Sequence, residues 1–269
     1  MQRVSFYFSA HEDDWQLFMN PSAFHDVLGG GKTVFVHVTA GDAGLGTKTG
    51  GRKHPYYLAR ENGAESAIRF MADADNRPPA RASAAPAAIN GHAIRRVGYR
   101  NTVAYFLRLP DGSPEGLGYA ETGQQSLKRL AASEIAALTT IDGTTGYRGW
   151  GDLVATLRAL IDFERAQASI DLHVPELDPA INPNDHPDHV MTAKLALEAA
   201  DNLSDARYIH HPGYNCGALP ENLNGAERDM KCAVYAVTLA GVAALDHPTS
   251  WQHYDQSFVG RNYCRVGSK

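Results

Sequence analysis

Cysteine is scarce in this chain, and its spacing excludes two kinds of cross-linked scaffold. Three cysteines occur among 269 residues, at Cys216, Cys232 and Cys264. Their number is odd and no CxxC pair is present, so the sequence indicates neither a disulfide framework nor a cysteine-bound structural zinc. A chain of this length can bury a sufficient core without such links. We therefore expect free thiols in a reducing compartment, and hence a cytoplasmic protein.

Long apolar runs are absent as well. The longest extends from residue 232 to 245 and is interrupted only by Thr238. A membrane-spanning helix needs ~20 apolar residues, so this segment is more typical of a buried core helix. The first residues contain neither a long apolar region nor a small-residue cleavage site. We expect no membrane span and no signal peptide.

An excess of basic charge is also lacking. Lys and Arg total 25 against 30 Asp and Glu, which gives a formal net charge of −5. Proteins that bind nucleic acids concentrate Lys and Arg, so we expect no such partner. The run from Gly29 to Thr33 resembles the end of a phosphate-binding loop. It has Asp26 where that loop begins with glycine and it precedes a strand, so a nucleotide site is not predicted either.

What the sequence does contain is an alternation of strand and helix patterns. Strands are predicted at Val4–Ser9, Thr33–Thr39, Thr102–Leu109, 169–173 and 207–210, and helices at Tyr56–Ala72, 127–137, 152–167, 190–200 and 226–245. Residues 76–88, rich in Pro and Ala, are predicted to form a loop. This alternation predicts an α/β fold, with a Rossmann-like, mostly parallel sheet flanked by helices, in a single domain of residues 1–269.

The first polar cluster, His11-Glu12-Asp13-Asp14, comes directly after the first predicted strand. Ligands of open α/β sheets bind beyond the carboxyl ends of the strands, which is where this cluster falls. One imidazole and three carboxylates beside an apolar strand are costly unless they are solvated, paired or bound to a metal. The alternative is a helix N-cap formed by Asp13 or Asp14.

The second cluster, His186-Pro187-Asp188-His189, lies on a loop before a predicted helix. Two histidines three residues apart can converge on one site where the backbone turns. Pro187 suits the first position of a helix. The alternative is a polar loop in which the histidines are incidental.

Together the two clusters offer a set of metal ligands. His11, Asp14 and His189 supply two imidazoles and one carboxylate, which suits a catalytic zinc with an open position for water. Asp13 and His186 remain unused by the metal. A hydrolase needs such a pair as general base and general acid.

In combination these motifs resemble the PIG-L/LmbE-type deacetylases, which are zinc-dependent N-acetylglucosaminyl deacetylases. The resemblance rests on the strand followed by AHxDD, the later HPDH, and the TxGDxG-like segment 39–44 between them. Segments 57–61 and 107–112 and Lys231 are also similar, so the resemblance extends from Val4 to the helix at 226–245. The chain departs from the family at Glu12, where a proline is usual. This adds a charge near the site and loosens the turn.

The resemblance implies a role for each matching residue. Zinc would be bound by His11, Asp14 and His189, and Asp13 would be the general base. His186 would donate a proton or stabilise charge.

Three further residues receive roles that the resemblance also implies. Asp188 would orient a histidine, and Arg60 and Asp111 would contact substrate hydroxyls. The implied reaction is hydrolysis of the N-acetyl group of an amino sugar or its glycoconjugate by metal-activated water.

Three other functions fit parts of the pattern. Two histidines and one carboxylate also form the facial triad of non-haem Fe(II) oxygenases, although redox chemistry needs neither the spare base nor the spare acid. A non-catalytic sugar-binding module could use the same fold, but it would not need the full set of ligands with Asp13 and His186. Another metal-dependent amidase or esterase remains open.

Overall fold

A mixed sheet of eight strands organises the chain in this computed structural model, which describes residues 3–75 and 77–267. Its strands are β1 (Val4–Ser9), β2 (Thr33–Thr39), β3 (Ser83–Ile89), β4 (His92–Tyr99), β5 (Thr102–Leu109), β8 (Ile170–Pro175), β9 (Ala206–His211) and β10 (Arg265–Gly267). Their order in the sheet is β10-β9-β8-β1-β2-β5-β4-β3. A separate hairpin consists of β6 (Ala137–Thr139) and β7 (Gly146–Arg148).

Helices cover the two faces of this sheet. They are α1 (Asp14–Phe18), α2 (Ser22–Leu28), α3 (Tyr56–Ala72), α4 (Leu127–Ala131), α5 (Gly149–Arg165), α6 (Pro187–Ala199), α7 (Gly225–Ala244) and α8 (Trp251–Phe258). One core cluster contains Phe6 of β1 with residues of α5 and α6, and the other contains Tyr7 of β1 with residues of α3 and α7. In the described part of the chain, no helix has the length and apolar content needed to cross a bilayer.

The centre of the sheet is parallel and its edges are antiparallel. β1 pairs in parallel with β2 and with β8, and the parallel pairing continues from β2 to β5 and from β8 to β9. β4, β3 and β10 add antiparallel strands at the two edges. The α/β fold with a mostly parallel sheet flanked by helices, predicted from the sequence, is therefore confirmed.

The position of β1 determines where a ligand can bind. The chain continues from β1 to β2 on one side, whereas the strand on the other side, β8, comes much later. The loops after β1 and β8 therefore diverge and leave a crevice at the carboxyl edge of the sheet. Such a reversal of strand order is the usual ligand site of open α/β sheets.

Two local predictions were wrong. Part of the predicted loop 76–88 is the edge strand β3, which pairs with β4 alone. Pro86 is tolerated there because an edge strand leaves one row of N–H groups unpaired. The helix predicted at 127–137 ends at Ala131. Ser133 follows with φ of 57°, in the left-handed region that ends a helix.

Candidate active site

The predicted site residues converge at the carboxyl edge of the sheet. His11 follows β1, Asp111 follows β5, and His186 lies between β8 and α6. Because these strands are parallel, their ends meet at one edge. Ligand atoms of His11, Asp14 and His189 lie within 4.8 Å of one another, and so do those of His11, Asp111, His186 and Asp188.

The first of these groups has the spacing of a metal site. Oδ1 of Asp14 lies 3.5 Å from Nδ1 of His11 and 3.3 Å from Nε2 of His189. Zinc–nitrogen bonds of about 2.0–2.1 Å at tetrahedral angles separate ligand atoms by roughly 3.3–3.4 Å. All three side chains are buried. Two of the three separations thus match a tetrahedral zinc site, and all three ligand atoms lie within 4.8 Å of one another, so the residues present fit such an ion.

Neighbouring groups fix the orientation of these ligands. The backbone N–H of His11 donates to Oδ2 of Asp14 at 2.8 Å, which leaves Oδ1 facing the site. Nδ1 of His189 lies 3.0 Å from Oδ2 of Asp185. Its Nε2 is buried and has no hydrogen-bond partner among the described residues. A histidine that binds a metal is usually oriented by a carboxylate in this way.

The electrostatics of this group favour a bound cation. Burial alone lowers the pKa of His189, but the carboxylates of Asp14 and Asp185 outweigh burial and raise it to about 10. Burial also lowers the pKa of His11, yet Asp14 raises it well above its usual value. Burial raises the pKa of Asp14, whereas His189 and His11 hold it well below its usual range. The buried carboxylates thus attract positive charge, which a proton or a metal ion can supply.

The second group surrounds the other nitrogen of His11. Nε2 of His11 lies 3.6 Å from Oδ2 of Asp188 and 3.9 Å from Oδ2 of Asp111. The backbone N–H of Gly112 donates to Oδ2 of Asp188 at 2.8 Å and links the loop after β5 to α6. These carboxylates face the nitrogen of His11 that a metal held through Nδ1 would leave free.

His186 is the N-cap residue of α6. Its Nδ1 accepts the backbone N–H of Asp188 at 3.2 Å, so the proton of the neutral ring is on Nε2. Burial and the nearby His11 lower the pKa of His186. Both effects favour the neutral ring, which presents an Nε2–H donor.

The side chain of Asp13 does not cap α1, which was the alternative explanation of the first polar cluster. This residue occupies the N-cap position of α1, yet its side chain makes no capping hydrogen bond. Its carboxylate instead accepts a hydrogen bond from the guanidinium of Arg60, and 21% of its side chain is exposed. The first polar cluster is thus more than a helix start.

Arg60 reaches this site from α3. Its Nε lies 3.1 Å from Oε2 of Glu12, and its Nη1 donates to the carbonyl oxygen of Gly41 at 3.2 Å. Only 14% of its side chain is exposed. The guanidinium therefore contacts protein carboxylates, and its contact with a substrate hydroxyl stays a prediction.

Sequence reasoning gave no role to two carboxylates that order the site. Asp185 orients His189, and its signal in the sequence was a carboxylate four residues before His189, in the loop that leads into α6. Asp42, after β2, accepts the backbone N–H groups of Gly46 at 2.7 Å and of Asp111 at 2.9 Å. Asp42 lies within the TxGDxG-like segment, but the sequence does not show which N–H groups it binds.

Two recesses adjoin the site. A small cavity beside Asp13 is lined by Glu12, Tyr56, Arg60, Thr238, Leu239, Val242, Pro248 and Ser250. A larger groove of about 380 Å³ begins at Pro110, next to Asp111, and is lined mainly by residues 45–48, 121–125 and 139–143. Its lining contains several threonines with Lys48, Glu121 and Gln125.

Comparison with known proteins gives similarities to solved structures only. No protein-family model matches the sequence, and no curated protein matches it. A deacetylase triple mutant (Orf2*T) of the teicoplanin biosynthetic pathway is 12% identical, with a TM-score of 0.49 over 96% of this chain and 88% of that chain. The A40926 pseudoaglycone deacetylase Dbv21 is 16% identical, with a TM-score of 0.47 over 98% and 95%. The conserved protein TT1542 from Thermus thermophilus is 16% identical, with a TM-score of 0.41 over 99% and 93%.

Proposed function

We propose that this protein is a zinc-dependent hydrolase that removes the N-acetyl group from an N-acetylglucosamine-type amino sugar or its glycoconjugate. One observation carries the proposal. His11, Asp14 and His189 have the spacing of a tetrahedral metal site, and the unused carboxylate of Asp13 and the neutral imidazole of His186 belong to the same two clusters. Three protein ligands leave the fourth position for water or substrate, as in other catalytic zinc sites.

Each group then has a defined task in amide hydrolysis. His11, Asp14 and His189 would hold the zinc ion, which would supply a Lewis acid and make water easier to deprotonate near neutral pH. Asp13 takes the proton of the attacking water and returns it to the amide nitrogen as the carbon–nitrogen bond breaks. Because the proton of His186 is on Nε2, this ring donates a hydrogen bond to the developing oxyanion.

Two further carboxylates complete the proposed site. With Nδ1 of His11 directed at Asp14, its Nε2 lies 3.6 Å from Oδ2 of Asp188, the carboxylate to which we assign the orientation of this ligand. Oδ1 of Asp111 accepts the backbone N–H of Ser113 at 2.9 Å, which leaves Oδ2 for a substrate hydroxyl. The groove lined by Pro110, the residue before Asp111, is the space that we assign to the rest of a glycoconjugate.

Release of acetate from N-acetylated saccharides, measured with a defined metal content, tests this function. Asp13→Asn is expected to keep zinc and to lose about 10²–10⁴-fold in kcat, the range of general acid–base assistance. His11→Ala is expected to lose the metal. Full turnover by Asp13→Asn would exclude Asp13 as the base.

Two other outcomes would indicate a different function for this protein. Iron with substrate-dependent oxygen consumption would indicate an oxygenase that uses the same three ligands. Saccharide binding without acetate release, in the zinc-loaded protein, would indicate a binding module.

A further inference from the structure

Glu12 stands where the resembling family usually has proline, and the structure gives this residue a partner. The side chain of Glu12 is buried, with 2% of it exposed. Its Oε2 lies 3.1 Å from Nε of Arg60. This contact is an ion pair and not a hydrogen bond, because no described residue donates to this oxygen. Burial raises the pKa of Glu12 to about 8, and the guanidinium of Arg60 opposes that rise.

The same guanidinium serves the proposed base. A second nitrogen of Arg60, Nη2, donates to Oδ1 of Asp13. The third, Nη1, donates to the carbonyl oxygen of Gly41. Since a guanidinium is planar and rigid, fixing Nε and Nη1 determines where Nη2 lies.

Gly41 provides the space in which this arrangement fits. Its φ is +49°, and a Cβ atom there would lie 2.7 Å from Oε2 of Glu12 and 2.8 Å from Cζ of Arg60. A side chain at position 41 would therefore displace both partners. The Glu12–Arg60 pair fills the place that a side chain on the loop after β2 would otherwise take.

We infer that Glu12 is a positioning residue that holds Arg60 so that its Nη2 fixes the carboxylate of Asp13. This inference rests on the proposed function, in which Asp13 acts on the attacking water. With Glu12 absent, the guanidinium keeps its attraction to Asp13 but loses the contact that sets its plane. Asp13 then loses its fixed orientation, while the metal ligands are unaffected.

A double-mutant cycle on kcat tests the inference. Glu12→Ala is expected to lower kcat by about 10- to 100-fold, the effect of a misplacement on the order of 1 Å. KM and zinc content should stay within twofold of the original protein. Because Glu12 acts through Arg60, adding Glu12→Ala to Arg60→Gln should cost little further activity. Equal losses in both backgrounds, or an unchanged kcat in Glu12→Ala, would overturn the inference.

Glu65→Ala is the matched control. Glu65 is on α3 and forms an ion pair with Arg95 of β4. It does not belong to the contacts that surround Asp13. Its removal should leave kcat unchanged. If Glu12→Ala fails to fold, Glu12→Gln keeps the volume, removes the charge and takes its place in the cycle.

A readout independent of activity separates this inference from the proposed function. The Nε–H of Arg60, assigned by its loss in Arg60→Lys, can be followed by nuclear magnetic resonance in the zinc-loaded protein. A chemical shift of this group that changes in Glu12→Ala and not in Glu65→Ala supports the inference. An identical chemical shift in the original protein and in Glu12→Ala overturns it. Absence of acetate release from every saccharide would instead contradict the proposed function.

Discussion

His189 is a single residue that serves two purposes through its two ring nitrogens. Nδ1 contacts Asp185, while Nε2 faces Asp14 across 3.3 Å. The ring is therefore oriented by the protein before any ion arrives. Tyr214 adds a stacked contact, with ring centroids 5.3 Å apart. The entropy of fixing the ring is a cost of folding and not of metal binding.

Loss of this orientation should weaken metal binding. Asp185→Asn is expected to lower zinc affinity by about 10–100-fold, the usual effect of removing a carboxylate behind a histidine ligand. Competition with a chromophoric chelator measures this change. Asp178→Asn is the control. Asp178 lies in the same loop, but its carboxylate accepts the backbone N–H of Ala180, so its partner is not His189. Equal affinities in the original protein and in Asp185→Asn would show that Asp185 does not act on His189.

The sequence predicts which residues meet more readily than it predicts how they are oriented. His11, Asp14 and His189 could be predicted as neighbours because each follows a strand of the parallel sheet. The choice of Asp185 as the partner of His189, and of Asp13 and Glu12 as partners of Arg60, depends on side-chain rotamers and long-range packing. Local patterns do not contain that information.

At the scale of elements, α3 and α7 cross at two glycines. A Cβ atom at Gly63 would lie 2.7 Å from the carbonyl oxygen of Thr238, and one at Gly241 would lie 2.7 Å from Cα of Gly63. α3 carries Arg60, and α7 carries Leu239 beside the cavity next to Asp13. The close crossing therefore sets the distance between the two helices that line this cavity.

A methyl group at the crossing should separate these helices. Gly241→Ala is expected to lower the free energy of unfolding by about 1–3 kcal/mol, as overpacking usually does. Urea denaturation measures the change. The control is Gly151→Ala in α5, where a Cβ meets no atom within 4 Å. There the same substitution should stabilise by about 0.5–1 kcal/mol through helix propensity. Similar effects at both positions would contradict a steric role for the crossing.

The elements also differ in how well the sequence predicts them. The central strands β1, β2 and β8 are buried along their whole length and are rich in apolar residues, which makes them conspicuous in the sequence. β3 and β4 lie at an edge and are partly exposed, so burial does not impose an apolar pattern on them. The order of strands in the sheet depends on pairings between distant segments, and only the general α/β class could be predicted. The single domain stays a prediction.

At the scale of the whole molecule, Lys231 joins three distant segments. It lies on α7 and is fully buried. Its Nζ donates to the carbonyl oxygen of Leu17, in α1, at 2.7 Å and to that of Arg261 at 2.5 Å. Burial lowers its pKa from 10.5 to about 7. The fold thus favours the neutral amine more than the unfolded chain does.

This shift gives stability a defined dependence on pH. Between pH 7 and 10.5 the unfolded chain binds more protons at Lys231 than the folded protein does. Stability from this group therefore rises with pH across that window. As the pH rises through this window, the unfolding free energy of the original protein should increase by a few kcal/mol relative to that of Lys231→Met. The conversion is about 1.36 kcal/mol per pKa unit. A difference that is constant from pH 7 to 10 would show that the pKa of Lys231 is not lowered by folding.

The proposed metal ligands come from distant parts of the chain, and this has a consequence for biosynthesis. His11 and Asp14 are synthesised before β2, whereas His189 is made only after β8, the strand that carries α6 to the side of β1. A nascent chain therefore holds no complete ligand set until residue 189 has emerged and β8 has paired with β1. If the proposed site binds a metal ion, capture requires residues 11 to 189 to be present together, so the ion would stabilise the assembled sheet and would not guide its first strands.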